Sequence, residues 1–453
     1  GIAGAGMSPL AELLLRWGGQ VSGCDARPGK VGAALARHGA TVVQGHDPAH
    51  VADAVAVVTT AAVRGDHPEL AAARARGIPV LKRAEALGAV VNSGTVVAVA
   101  GTHGKTSTTA MTTAVLEEAG LDPTGFVGGR VAAWDGNLRL GGDTFVVEAD
   151  EYDRSFHQLR PDLAIVTTVE PDHLDIYGTA AAVEEAFRVF LEPLSADGLL
   201  AACVDDPGAA RLLAASGHAG ALGYGVGEGA PLRAVDIRAE GLGSRFTVLE
   251  DGRELGELGV ASPGLHNVRN ALAAFAAGRH LGASLEAARA GLLAFGGVER
   301  RFQVVGEARG ITVVDDYAHH PTELSAALDA ARRVYPDRRI VAVFQPHLFT
   351  RTRDFADAFG HALASADAVW VTDVYAAREA PIEGVSGELV ADAVRDAGAR
   401  VRYHADIDTL PEALAAALEA GDVLLALGAG TIDEASRATL ELLGGSVSAG
   451  SGR

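Results

Sequence analysis

Short apolar runs alternate with alanine-rich stretches and glycine turns along almost the whole chain. The runs Ala54–Thr59, Val96–Ala100, Phe145–Glu148, Leu163–Thr168, Ile340–Phe344, Ala368–Thr372 and Val423–Leu427 read as buried strands. Ser107–Ala119, Ala180–Leu194 and Pro411–Leu418 read as helices between them. Strands that are apolar on both faces need helices on both faces, which is the arrangement of βαβ units and mainly parallel sheets. The expected fold class is therefore α/β.

At 453 residues the chain is too long for one core. Three blocks are expected: 1–90, a small Rossmann-like unit; 91–296, opening on a phosphate loop; and 297–443. Within the second, Pro231–Val260 alternates polar and apolar residues, which suits an antiparallel strand group. The Gly/Ser-rich tail 444–453 is expected to be disordered. A net charge of −20 argues against nucleic acid as a partner. No apolar run approaches the roughly 18 residues that span a bilayer. Cys24 and Cys203 make no disulfide framework. With no signal-peptide pattern either, the expected compartment is the cytoplasm.

The string VVAVAGTHGKTSTTA runs from Val96 to Ala110. An apolar strand enters Gly101-Thr102-His103-Gly104-Lys105-Thr106-Ser107, and a helix-forming stretch follows. Glycines let backbone N–H groups converge on phosphate oxygens, Lys105 can reach the terminal phosphates, and the Thr106 hydroxyl can hold Mg²⁺. The helix N-terminus adds a positive dipole. Such a loop alone does not choose between hydrolysis, phosphoryl transfer and ligation.

Further polar groups follow apolar strands, at the sheet edge where α/β ligands bind. FVVEADEYD, Phe145–Asp153, offers Glu148 as the best metal-binding carboxylate, with Asp150, Glu151 and Asp153 partly structural. LAIVTTVEPDHLD, Leu163–Asp175, delivers Glu170, Asp172, His173 and Asp175; His173 could ligate a second Mg²⁺. SPGLHNVRN places His266, Asn267 and Asn270 at a helix start, to contact a nucleotide or merely to cap the helix. VVDDYAHHPTE, Val313–Glu323, gathers two carboxylates, Tyr317 and two histidines before a proline-initiated helix. In FQPHLFTRTRD, Arg351 and Arg353 can form bidentate contacts to a carboxylate. VLLALGAGTI is a strand ending in a glycine turn, which by itself is weak evidence of a ligand site, since such a turn also serves to allow tight helix–strand packing. The opening GIAGAGM and Asp25 after the next strand resemble a dinucleotide fingerprint, but such a unit holds a uridine diphosphate equally well.

Taken together, GTHGKTSTT, EADEYDRSF, TTVEPDHLDIYG, HNVRNALAA, ERRFQ, DDYAHHPTE, FQPHLFTRTRD and LGAGTI resemble the Mur ligase family across essentially the whole chain. The resemblance implies three domains: an N-terminal Rossmann-like unit for the UDP-sugar, a central P-loop ATPase of mononucleotide-binding fold, and a C-terminal Rossmann-like unit for the amino acid. The opening string, DDYAHHPTE and FQPH…TRTRD point within the family to joining L-alanine to UDP-N-acetylmuramate, with ATP and two Mg²⁺ ions as the implied cofactors. Gly101 to Ser107, His266, Asn267, Asn270, Arg301 and Asp316 are then implied at ATP, and Thr106, Glu148 and His173 at metal. Gly4, Ala5, Gly6, Met7, Asp25, Thr60 and Arg83 are implied at the UDP-sugar; Tyr317, His319, Arg351 and Arg353 at the amino acid. Lys105, His173 and His319 are implied in catalysis, in a monomer or homodimer. Tyr152 departs from the alanine-type EADES string and matches a relative that reattaches a whole tripeptide to the same sugar. A dinucleotide-dependent oxidoreductase is the alternative from another class.

Overall fold

The computed structural model describes residues 1–60, 62–377 and 379–447. Of the expected tail, residues 448–453 lie outside the described residues, as does the side chain of Asp175. Two compact units are present. The first comprises Gly1–Val235, Val248–Gly256 and Arg269–Ala294; the second comprises Asp236–Thr247, Glu257–Val268 and Phe295–Arg453.

The first unit opens on a glycine loop that runs into the helix Met7–Arg16. Two small parallel pairs follow, Ser22–Asp25 with Thr41–Gln44 and Val57–Thr59 with Val80–Lys82. Ile2, Ala11, Leu35 and Ala40 form a small core among them. The strand expected from Ala54 begins only at Val57, because Val55 is 92% exposed and packs on nothing that would hold it in a sheet.

The main sheet runs, strand by strand, Ala221–Gly225, Leu199–Cys203, Leu163–Val166, Thr95–Ala100, Thr144–Glu148, Thr124–Val131 and Gly136–Arg139. All but the last pair are parallel, and every residue from Val96 to Ala100 is fully buried. The continuous apolar run therefore marks a central strand covered on both faces. The alternating segment becomes the strands Leu232–Glu240, Gly243–Glu250 and Arg253–Val260. Its Asp251-Gly252 turn has φ of 49° and 81°, the two positive values of a hairpin turn whose twist matches the strands.

The second unit holds a six-stranded sheet in the order Gln303–Ala308, Ile311–Asp316, Val423–Leu427, Ile340–Phe344, Ala368–Val371 and Val401–Tyr403. The first strand is antiparallel to its neighbour and the rest are parallel. Helices cover both faces, with apolar clusters around Phe344 and Phe359 on one and around Trp370 and Leu424 on the other. The mixed α/β class expected from the alternating pattern is the class found. Among the described residues no helix is long and apolar enough to cross a membrane.

Candidate functional site

The strand Thr95–Ala100 ends at Gly101, whose φ is +139°, and the helix Lys105–Glu118 begins after Gly104, whose φ is +83°. A Cβ on Gly101 would sit 1.9 Å from Thr167 Oγ1 and 2.9 Å from the Thr168 amide nitrogen. Only glycine lets the two strand ends approach this closely. The loop is stapled to the neighbouring strand end. The Thr102 amide donates to Thr168 O at 2.9 Å, the His103 amide to Thr168 Oγ1 at 2.9 Å, and the Glu170 amide to Thr102 Oγ1 at 2.9 Å. The helix that follows is rich in threonine, a modest helix former, and is held by burial instead: Thr108, Thr109, Thr112 and Thr113 have no exposed surface. Thr112 and Thr113 donate to carbonyls four residues back at 2.8 Å and Thr109 does so at 2.9 Å, whereas the buried Thr108 hydroxyl has no hydrogen-bond partner.

Lys105 Nζ donates to Glu151 Oε2 and to Gly101 O, each at 2.6 Å, inside the loop. Burial disfavours this ammonium, yet Glu151, Asp150 and Glu148 outweigh it and raise its pKa above the ordinary lysine value. Burial lifts Glu151 to about 7 against the pull of Lys105. Thr106 Oγ1 donates to both carboxylate oxygens of Glu148, at 3.0 and 3.1 Å, and the Gly128 amide donates to Glu148 Oε2 at 2.7 Å. The hydroxyl and carboxylate expected at one metal are thus adjacent. Hard oxygen donors of this kind suit Mg²⁺. Glu151 Oε1 is buried without a hydrogen-bond partner and faces His173 Nε2 at 3.8 Å. That gap, between a carboxylate and an imidazole, has the donor chemistry for a second divalent ion. His173 adopts a left-handed φ of 52° at the start of a short helix, and its ring lies edge-on to Tyr152 at 5.2 Å.

Glu151 is the residue that sequence reasoning undervalued. It lies in a loop after the strand, where no periodicity marks an inward-facing side chain; its burial and its pairing with Lys105 come from the fold. Asn270 is buried, and its Oδ1 lies 2.9 Å from where a Cβ on Gly104 would stand, which sets it beside the phosphate loop.

A cavity of about 270 Å³ is walled by Gly4, Ala5, Gly6, Met7, Thr60 and Arg83 on one side and by Gly128, Glu148 and Asp150 on the other. Six of the seven residues expected at the UDP-sugar line it. Asp25 does not. Its carboxylate accepts from the amides of Ala3, at 3.2 Å, and Arg27, at 2.9 Å. Burial works against its charge, but those amides prevail and hold its pKa below the ordinary carboxylate value. The role of Asp25 in the structure is to anchor the glycine loop, which also removes the ribose ligand that a dinucleotide site would need.

The second unit gathers another cluster. Arg300 donates to Gly428 O at 2.7 Å, to Gly430 O at 3.2 Å and to Asp315 Oδ2 at 3.2 Å. The guanidinium groups of Arg300 and Arg301 lie 5.0 and 5.3 Å from the centre of the Tyr317 ring. His319 Nδ1 lies 2.9 Å from Tyr317 O and 3.3 Å from Glu323 Oε2. Its ring neighbours that of His347 at 5.9 Å, and Arg351 Nη1 lies 3.3 Å from His347 Nδ1. Tyr317, His319 and Arg351 are therefore brought together, through a histidine that the sequence string contained but that received no role.

Arg353 is not brought to them. Residues two apart on a helix point about 200° away from each other. Arg351 is buried, whereas Arg353 is half exposed and pairs with Asp354 at 2.8 Å. The expectation that Arg353 lines the amino-acid pocket beside Arg351 is corrected accordingly. Asp316, expected at the nucleotide, uses both carboxylate oxygens on the amides of Phe302 and Ala318 at 2.8 Å. Asn267 donates to Pro263 O at 2.8 Å within its own helix start, and its Nδ2 lies 3.1 Å from His266 Nε2. In the turn after Val423–Leu427, a Cβ on Gly428 would lie 2.7 Å from Gln345 O and one on Gly430 2.3 Å from Gln345 Oε1. Those glycines permit close packing of the turn against Gln345.

Family models match along the chain: the Mur ligase family catalytic domain at residues 1–95, the Mur ligase middle domain at 99–278, and the Mur ligase glutamate ligase domain at 300–430. UDP-N-acetylmuramate–L-alanine ligase of Kineococcus radiotolerans is 49% identical over 452 residues, covering 98% of this chain and 95% of the relative. The Salinibacter ruber protein of the same name is 46% identical over 446 residues, covering 98% and 94%. The crystal structure of UDP-N-acetylmuramate–alanine ligase from Thermotoga maritima superposes with a TM-score of 0.82 at 30% identity, covering 98% of this chain and 97% of that one. By sequence along its whole length, by its matches to three successive Mur ligase domain models and by its α/β fold, the chain belongs to the Mur ligase family.

Proposed function

We propose that this chain is an ATP-dependent ligase that joins L-alanine to the carboxylate of UDP-N-acetylmuramate, giving UDP-N-acetylmuramoyl-L-alanine, ADP and phosphate. The substrates are those in the names of the near full-length relatives. The geometric observation that carries the reading is the shared cavity: the first glycine loop and Glu148, the carboxylate held by the phosphate-loop threonine, wall one space. A sugar nucleotide lying along the loop then presents its acid to the nucleotide end. Small-molecule sites span roughly 300–1,000 Å³, so the cavity accommodates part of such a ligand, with the Arg83 cation beside Gly6.

A carboxylate is a poor acyl donor because its leaving group would be oxide. Transfer of the γ-phosphoryl group to a carboxylate oxygen releases ADP and makes phosphate the leaving group. The alanine amine attacks the acyl carbon, a proton leaves the nitrogen, and the carbon–oxygen bond to phosphate breaks. Lys105, freed from Glu151 by the arriving phosphate, carries positive charge to the transferred group. Thr106 and Glu148 would hold one Mg²⁺ and Glu151 with His173 a second; the ions supply neutralisation of phosphate charge. Tyr317, His319 and Arg351 form the amino-acid pocket, with Arg351 binding the alanine carboxylate and His319 orienting or deprotonating the amine. The matching partition is 1–90, 91–296 and 297–443.

The test is phosphate release with UDP-N-acetylmuramate and a panel of amino acids, including the tripeptide. Alanine-dependent release that Lys105→Ala abolishes, with UDP-sugar binding kept, is expected. Release with the tripeptide but not with alanine would replace this substrate assignment by the one Tyr152 raised.

A further inference from the structure

A cluster that this chemistry does not use lies in the first unit, around Glu69. Cys24 lies within the strand Ser22–Asp25 and His46 follows the strand Thr41–Gln44. His50 sits in the turn Pro48–Val51, and His67 and Glu69 open the helix Pro68–Ala75. Five groups from three segments of the chain converge here. Cys24 Sγ lies 3.2 Å from His46 Nδ1 and 3.1 Å from Glu69 Oε2, and His46 Nδ1 lies 3.5 Å from the same oxygen.

Those separations are informative. Zinc binds thiolate sulfur at about 2.3 Å, imidazole nitrogen at about 2.0–2.1 Å and carboxylate oxygen at about 2.0–2.2 Å, so ligands at tetrahedral corners stand about 3.3–3.6 Å apart. The three atoms form a triangle close to that size. Cys24 Sγ lies 3.1 Å from both oxygens of Glu69, and the histidines and the Asp47 amide distinguish the two. Oε1 lies 2.8 Å from His50 Nδ1 and accepts from the Asp47 amide at 3.2 Å. Oε2 faces Cys24 and His46, with His67 Nδ1 at 3.7 Å. Oε1 is thus held by the surrounding chain, as a metal ligand is held by its outer partners, and Oε2 is the oxygen that faces both Cys24 and His46. His46 is about one third exposed, which gives an ion access, while Glu69 is buried.

We propose that Cys24, His46 and Glu69 bind a Zn²⁺-class ion, with His50 as the positioning residue for the Glu69 carboxylate and an exchangeable water in the fourth position. Thiolate and imidazole select zinc-like ions over Mg²⁺, so this site differs in chemistry as well as in place from the Mg²⁺ sites proposed at the phosphate loop. Binding displaces the Cys24 thiol proton to solvent, leaving sulfur as a thiolate ligand. The Asp25 carboxylate, next in sequence, anchors the glycine loop through Ala3, so an ion here stiffens the floor of the nucleotide-sugar cavity.

The experiment is Co²⁺ titration of the whole chain followed by Zn²⁺ competition. One equivalent of Co²⁺ should produce a thiolate-to-cobalt charge-transfer band and tetrahedral visible bands, both removed by Zn²⁺. Cys24→Ser should lose the charge-transfer band and weaken zinc binding at least tenfold. His50→Ala should keep the band while affinity falls about 10–100-fold. His46→Ala, at a partly exposed side chain, provides a second variant should Cys24→Ser fold poorly; it should weaken zinc as Cys24→Ser does. Absence of the charge-transfer band in the unmodified chain, or equal zinc affinity in the unmodified chain and His46→Ala, would overturn the proposal. Cys203 is buried in the strand Leu199–Cys203 and remains in every variant, so it serves as an internal control.

Discussion

Gly101→Ala is the sharpest perturbation of the phosphate loop. The new methyl carbon would stand 1.9 Å from Thr167 Oγ1, 3.0 Å from the Thr167 nitrogen and 2.9 Å from the Thr168 nitrogen. A hydroxyl can rotate away; two backbone nitrogens in a sheet edge cannot. The native φ of +139° adds strain of about 1–3 kcal/mol for an L side chain. Forcing extra volume into a packed site adds about 1–3 kcal/mol more. The sum is about 2–6 kcal/mol, relieved only if the loop moves. Gly104→Ala is the comparison: its φ of +83° costs about 1–2 kcal/mol and its methyl meets the movable Asn270 amide at 2.9 Å. Urea titration read through Trp17 and Trp134, both in the first unit, should therefore show a larger loss for Gly101→Ala than for Gly104→Ala. A loop displaced by about 1 Å should lower phosphate release about 100-fold. Thr167→Ala added to Gly101→Ala should restore little, because the amide nitrogens remain. Equal urea midpoints for the two alanine variants, with phosphate release within tenfold of the unmodified chain, would refute the close-approach reasoning.

The two arginines of one helix should separate in kinetics. Arg351→Ala should raise the alanine KM by at least tenfold, whereas Arg353→Ala should alter it less than twofold; matched effects would return Arg353 to the pocket. In the second unit, burial lifts Asp315 from 3.8 to about 7, with Arg300 opposing. The folded state holds this proton more tightly than the unfolded chain does, so the group stabilises below about pH 4, and that contribution is lost as pH rises through about 7. Asp315→Asn should flatten the fall in urea midpoint between pH 4 and 7, read by Trp370; an unchanged slope would exclude Asp315 as its source.

Much of this molecule is readable from local pattern. The runs Ile340–Phe344 and Val423–Leu427 coincide with strands, because a central strand buried on both faces must be apolar at every position. The sequence Gly101 to Thr106 announces its loop, because positive φ and close approach demand glycine at set spacings. What chain order could not reveal is which side chains meet. Glu148 and Glu151 stand in one acidic string, yet Glu148 takes Thr106 and Glu151 takes Lys105. Asp25 and Asp316 look like ligand-binding carboxylates after strands, and both are consumed by backbone amides. Cys24, His46 and Glu69 carry no shared spacing at all; they meet because two parallel strands and a helix start converge at one edge. Local sequence dictates backbone geometry through sterics and burial, which act over a few residues. Pairing of polar side chains depends on distances across the fold, and those exist only once the strands are laid side by side.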